Sequence, residues 1–186
     1  MSGTQLEALS IANGVTAFNR PEDAEWDPVH PNDLYFVTTA SFAGRSRLWR
    51  ARFVDAAHPE LGGAMEMLLN GTEGQHMLDN IAIDRRGRVV LQEDPGNQAH
   101  LAKIWQYDIA RGTLAMIAQH DPQRFTPGAV GFLTQDEESS GIIDASDILG
   151  EGWFLLDVQS HRSVGDAELV EDGQLLAMHV PPGRKY

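Results

Sequence analysis

The sequence predicts an all-β protein built from β-propeller blades, each a meander of four antiparallel strands. Three observations carry that expectation. First, Arg47-Leu48-Trp49-Arg50-Ala51-Arg52-Phe53 returns as Lys103-Ile104-Trp105-Gln106-Tyr107-Asp108-Ile109, 56 residues later. Second, Glu22-Asp23-Ala24-Glu25-Trp26-Asp27 returns as Asp79-Asn80-Ile81-Ala82-Ile83-Asp84 and, more loosely, as Ser139-Ser140-Gly141-Ile142-Ile143-Asp144, at steps of 57 and 60 residues. A fixed period of this size marks a supersecondary unit stacked on copies of itself. Third, strand signals dominate: short apolar, β-branched and aromatic runs are bounded by Gly, Pro, Asn and Asp.

The units divide at about 18–71, 78–121 and 134–186, within one domain and after an N-terminal segment 1–17. Unit one predicts strands over Ala24–Asp27, Leu34–Ser41, Arg45–Val54 and Ala64–Leu69. Unit two predicts Ile81–Asp84, Arg88–Glu93, Ala102–Ile109 and Thr113–Gln119. Unit three predicts Gly141–Asp144, Trp153–Gln159 and Gln174–Val180. Turn formers fall between them at His30-Pro31-Asn32-Asp33, Arg85-Arg86-Gly87, Ala110-Arg111-Gly112 and Glu171-Asp172-Gly173, where such residues supply the special backbone angles of tight connections. Pro21-Glu22-Asp23 is expected to open a helical turn, and Ser146-Asp147-Ile148-Leu149 to form a short one halted at Gly150. Both are too short for an ordinary helix. Asp27, Asp84 and Asp144 are expected to cap the turn after each first strand. Trp26, Trp49, Trp105 and Trp153 are expected to pack between blades. An antiparallel sandwich would also give many short strands, but the Trp49/Trp105 recurrence favours blades.

Two full units and most of a third make about 11 strands, whereas propellers close with about 4–8 blades. Open sheet edges invite pairing, so the expected partner is a second copy, the homodimer completing a six-bladed ring. Gln5–Ala12 is the candidate for the strand missing from unit three. The other reading is the C-terminal half of a longer ancestor.

With 27 acidic against 14 basic residues, the formal net charge is -13. Phosphate-backbone binding needs concentrated Lys and Arg, so no nucleic-acid partner is expected; the charge suits cation binding or solubility. The absence of cysteine excludes disulfides, zinc–cysteine sites, iron–sulfur clusters and thiol nucleophiles. No run approaches the roughly 18 apolar residues of a membrane span, and Met1–Asn13 lacks the build of a secretory signal. The expectation is a soluble chain with no membrane partner and no export signal of its own. Gly-x-Ser-x-Gly, phosphate-loop and His-Glu-x-x-His motifs are missing.

First strands of blades line a common channel, so residues at one end of each should converge. Those positions carry Glu22-Asp23, Asp79-Asn80 and Glu137-Glu138, preceded by Asp136; Glu93-Asp94 ends the second strand of unit two. Thr38-Thr39 and Asp157 to Gln159 are its expected counterparts. Carboxylates gathered at one mouth need a counter-charge. Calcium accepts six to eight such oxygens, while iron or manganese would prefer added imidazole. His76 and His161 are candidates for that role, and Arg20 for binding an anionic substrate group.

These residues, read as Phe18-Asn19-Arg20-Pro21-Glu22-Asp23, Leu78-Asp79-Asn80-Ile81, Gln92-Glu93-Asp94 and Gly152-Trp153 through Gln159-Ser160-His161, resemble the PhoX-type alkaline phosphatase family over about residues 15–162. The resemblance covers only the later part of that family's length. It implies a six-bladed propeller, phosphomonoester hydrolysis at a calcium- and iron-bearing channel mouth, and an often periplasmic or extracellular setting. Glu22, Asp79, Glu93 and Glu137 or Glu138 become implied metal ligands, with Asp23, Asn80 and Asp94 supporting or alternate; Glu22, Arg20 and His161 are the candidate catalytic residues. The family's cysteine ligand to iron has no counterpart, so calcium is the expected cation. The expected substrate is a phosphate ester; the alternatives are a calcium-dependent propeller lactonase or esterase acting on a lactone, and a non-catalytic binding module.

Overall fold

In the computed structural model, which describes residues 1–181, the chain forms three successive antiparallel sheets. The last residues of unit three, 182–186, lie outside the described residues. The first sheet holds β1 (Pro21–Trp26), β2 (Asp33–Thr38), β3 (Arg47–Phe53) and β4 (Gly63–Leu69), paired in chain order. The second holds β5 (Leu78–Ile83), β6 (Arg88–Glu93), β7 (Lys103–Asp108) and β8 (Thr113–Gln119), again in order. The third is a three-stranded meander of β9 (Glu138–Asp144), β10 (Trp153–Ser163) and β11 (Glu171–His179).

Among the described residues, three α-helices stand outside the sheets, α1 (Gly3–Ala12), α2 (Pro122–Phe125) and α3 (Ser146–Leu149), with one 3-10 turn at Pro59–Leu61. The strand expected over Gln5–Ala12 is therefore corrected to a helix. Ser2 and Gln5 form a reciprocal capping box at its start, which satisfies two of the free N–H groups there. None of its residues is buried. The helical turn expected at Pro21-Glu22-Asp23 is likewise corrected, because β1 starts at Pro21.

Equivalent backbone bonds align the three units. The N–H groups of Phe53, Ile109 and Val180 donate to the carbonyls of Asn32, Gly87 and Gly152 at 2.9, 3.0 and 2.8 Å. The first-strand turn is closed by the N–H of Asp27 on Asp33, of Asp84 on Arg88, and of Ala145 on Trp153. Ala145, not Asp144, is thus the partner of Asp27 and Asp84, and unit three runs one residue out of the step read from the sequence. Asp27 accepts the N–H groups of Val29 and His30, and Asp84 those of Arg86 and Arg88, with all four bonds at 2.8–3.0 Å. Asp144 instead accepts the Ser146 N–H at the start of α3.

Each first strand carries a bulge at the same place. The pairing slips between Pro21 and Ala24, between Leu78 and Ile81, and opposite Leu156–Asp157 in the third sheet. A bulge leaves one residue unpaired and re-aims side chains. Here the re-aimed residues are Glu22-Asp23 and Asp79-Asn80.

The second sheet lies between the other two. One face, with Leu78, Ile81, Ile83, Val89, Leu91 and Tyr107, packs on Tyr35, Val37, Leu48 and Leu69 of the first. The other, with Ala82, Val90 and Ile104, packs on Ile142, Phe154, Leu156 and Val180. This explains the unbroken run Val89-Val90-Leu91: burial on both faces removes the alternation of a half-exposed strand. Each such side chain contributes about 1.5–3 kcal/mol on burial. The first strands neighbour one another, β1 beside β5 and β5 beside β9. Bulge side chains stitch them together: Asp23 accepts the Ile81 N–H at 3.1 Å, and Asn80 accepts the Gly141 N–H at 3.3 Å.

Candidate functional site

The bulged ends of the first strands meet the ends of β6 and β10, and the backbone there is unusual. Arg20, Ala40, Met77 and His161 have φ of 57, 62, 41 and 38°, a left-handed region that side chains other than glycine seldom occupy. Strain of this kind concentrates at functional sites. The bonds holding it repeat: the Thr39 N–H donates to the Arg20 carbonyl at 2.9 Å, and the Asp94 N–H to the Met77 carbonyl at 3.0 Å.

Four carboxylates from the three sheets share this region. Burial, then the charges of Asp94, Glu22 and Asp23, push Asp79 up to about 6. Burial, then Asp94 acting by charge and by a shared hydrogen bond, also raises Glu138, with Asp79 adding to it. Asp94 thus acts on both Asp79 and Glu138. Glu22 is paired with Arg20 at 3.1 Å, and Arg20 also donates to the Ala40 carbonyl at 3.3 Å. His161 stands 3.9 Å from Glu138 and 3.1 Å from Glu171. Burial alone would lower His161, but the Glu171 bond and the Glu138 charge outweigh it, so its pKa is raised.

Other expected ligands sit elsewhere or are fully engaged. Glu93 is buried, and both its oxygens are occupied. One accepts the His76 N–H (2.9 Å) and the Trp105 indole N–H (2.7 Å); the other faces His100 Nε2 (2.9 Å) and accepts the Lys103 N–H (3.0 Å). Its counterpart in the first sheet is Thr38, whose hydroxyl accepts the Trp49 indole N–H at 3.0 Å. Glu93 therefore anchors the repeated tryptophan. Glu137 turns away from the mouth toward buried His120, 3.8 Å off, and accepts the Ala102 N–H. Burial raises Glu137 to about 7 and lowers His120 to about 4. Asp23 and Asn80 are the inter-strand stitches already described. His76 stacks on Phe42 and meets His100 edge-on, with ring centroids 5.2 and 5.0 Å apart.

The structural roles of His100 and His120 were not signalled by the sequence. His100 lies seven residues past Glu93 in an irregular loop, and no periodicity marks it. Among the described residues, no group of three or more His, Asp or Glu is gathered tightly enough to hold a metal ion. None of the helices among them is long and apolar enough to cross a membrane.

Fold and site together define a protein of stacked meander sheets whose bulged first strands crowd carboxylates at one end. No family model matches the sequence, and no curated protein matches it.

Proposed function

We propose that the chain is a β-propeller hydrolase acting on phosphate esters, with Glu22, Asp79 and Asp94, which as they stand are not gathered tightly enough to hold a metal, as the carboxylates that would close around a divalent cation, and Glu138 beside them as the general base. One observation carries this reading: Asp79 and Glu138, on different sheets, are both held above the usual carboxylate range around a shared Asp94. Like charges so placed need a neutralising partner. Among the described residues, no N–H donates a hydrogen bond to Asp79, whereas Glu138 shares one with Asp94 and faces His161. An oxygen-only donor set without cysteine suits calcium better than iron. The reading keeps Glu22, Asp79 and the alternate ligand Asp94 of the PhoX-type resemblance, and leaves out Glu93 and Glu137.

A bound cation supplies charge neutralisation and polarisation of a phosphoryl oxygen. The half-exposed Arg20 guanidinium binds a second phosphoryl oxygen, in the geometry that favours such pairs. Glu138 takes the proton of the attacking water; its raised pKa suits it to a general base near neutrality. His161, whose pKa its two carboxylate neighbours raise, gives its proton to the departing alkoxide as the P–O ester bond breaks.

The test is calorimetric titration of metal-free protein with calcium, with p-nitrophenyl phosphate and lactone hydrolysis assayed with and without chelator. Calcium binding with chelator-sensitive phosphate release is the expected result. Binding without hydrolysis of either substrate removes the catalytic part. Lactone hydrolysis alone replaces the substrate. Neither binding nor hydrolysis overturns the whole reading.

A further inference from the structure

The second sheet shows what each face of a unit requires, because both of its faces are covered. The register bonds identify the equivalent positions on the outer faces of the first and third sheets. Ile83, one residue before Asp84, is 5% exposed against the first sheet; Trp26, one residue before Asp27, is 44% exposed. Leu91 is fully buried beside Trp105, whereas its equivalent Phe36 is only half-buried, stacked on Trp49 and met edge-on by Phe18 from the segment before β1. Across the molecule, Ala82 is 3% exposed against the third sheet, and its equivalent Ile143 is 56% exposed. Ile104 is 4% exposed, and its equivalent Leu175 is 82% exposed.

The two outer faces therefore carry apolar residues at the positions that form the inter-sheet cores. They are also complementary in kind. The outer face of the first sheet is the type that the second sheet presents to the first. The outer face of the third is the type that the second presents to the third.

We infer that these faces form a head-to-tail interface between two copies of this chain: the Ile143–Leu175 face of each copy docks on the Trp26–Phe36–Trp49 face of the other. The junction repeats the packing already present twice within the chain. Two such junctions related by a two-fold axis close without leaving a free face, and six sheets fall within the range at which propellers close. Each junction would be apolar, as in an obligate interface. The inference rests on the propeller reading of the fold and not on the catalytic one, so solution mass and hydrolytic activity can fail separately.

The test is sedimentation of the purified chain, alone and as Trp26→Glu and Leu175→Glu. The expected wild-type mass is twice the 20.5 kDa of one chain. Each variant should weaken association by about 30-fold or more, as loss of a buried interface anchor does. Strand circular dichroism should hold in both, because each side chain is exposed within a single chain. An equimolar mixture of the variants should recover a two-copy species, since one junction then joins two unmodified faces. A monomeric wild type at 100 µM overturns the inference, as does a wild-type species larger than two copies. So does either variant remaining fully dimeric alone, which would mean that like faces pair, and so does a mixture that stays monomeric.

Discussion

Replacing Asp79 by Asn should make the metal-free protein more stable at neutral pH. The crowded site holds the Asp79 carboxyl at about 6 instead of its ordinary 3.8. Each pH unit of that displacement is worth about 1.4 kcal/mol, which sets an upper limit of about 3 kcal/mol. Asp79 is only half-buried, so solvent screening reduces this to roughly 1–1.5 kcal/mol. The sign follows from linkage. The folded protein binds this proton more tightly than the unfolded chain, so the contribution to stability is fully present below about 3.8. It is lost as pH rises through about 6. Above that, the ionised carboxylate is a net cost, and Asn removes it without changing the shape. At pH 7 the variant should melt about 3–5 °C higher, given the usual scaling for a chain of this size. Its melting temperature should also vary less between pH 4 and 6. The assay is thermal unfolding by circular dichroism in chelator across that range. Saturating calcium should stabilise the wild type by about 2.7 kcal/mol at a hundredfold excess over its dissociation constant, and Asp79→Asn by less. A variant that melts at or below the wild type at pH 7, with an unchanged pH profile, would refute the claim that carboxylate crowding raises Asp79.

Glu93→Gln should behave in the opposite way. Three N–H donors converge on its two oxygens beside His100 Nε2, and an amide has one oxygen to meet them, so urea unfolding should show a loss of roughly 2–4 kcal/mol. Arg88→Met should cost about 3–5 kcal/mol in the same assay. It strands the buried Asp84 carboxylate and the Val180 carbonyl, which Arg88 holds at 2.6 and 2.9 Å. His161→Asn keeps a residue that tolerates the left-handed backbone, so the fold should persist. Phosphate-ester hydrolysis should fall by about 10²–10³-fold. In the wild type, the His161-dependent limb should decline as pH rises through a value above the usual 6.5, the direction in which Glu171 and Glu138 hold that imidazole.

Two of the three meanders were legible because each carries its own markers. Trp49 and Trp105 sit on third strands, and Asp27 and Asp84 close the same turn, so local chemistry repeated at a fixed step. The third unit was legible only approximately. Leu176 takes the tryptophan position opposite Leu156, and Ala145 takes the aspartate position, which left the neighbouring Asp144 to suggest a step one residue short. The N-terminal segment was assigned a strand only because unit three lacks one, while the Ser2–Gln5 box commits the backbone to a helix.

The acidic character of the first-strand ends, and the recurrence of acids there, belonged to the sequence by itself, because residue type and spacing are local properties. Which carboxylates share a space did not. Glu93 and Asp94 are neighbours in the chain, yet a strand aims successive side chains to opposite sides. Glu93 enters the interior to hold Trp105, His100 and two backbone N–H groups, while Asp94 acts on both Asp79 and Glu138. Glu137 and Glu138 divide in the same way, one toward His120 and the other toward His161. The bulges and the packing of the three first strands decide that division, since burial and charge at these carboxylates are set by residues from 7 to about 60 positions away.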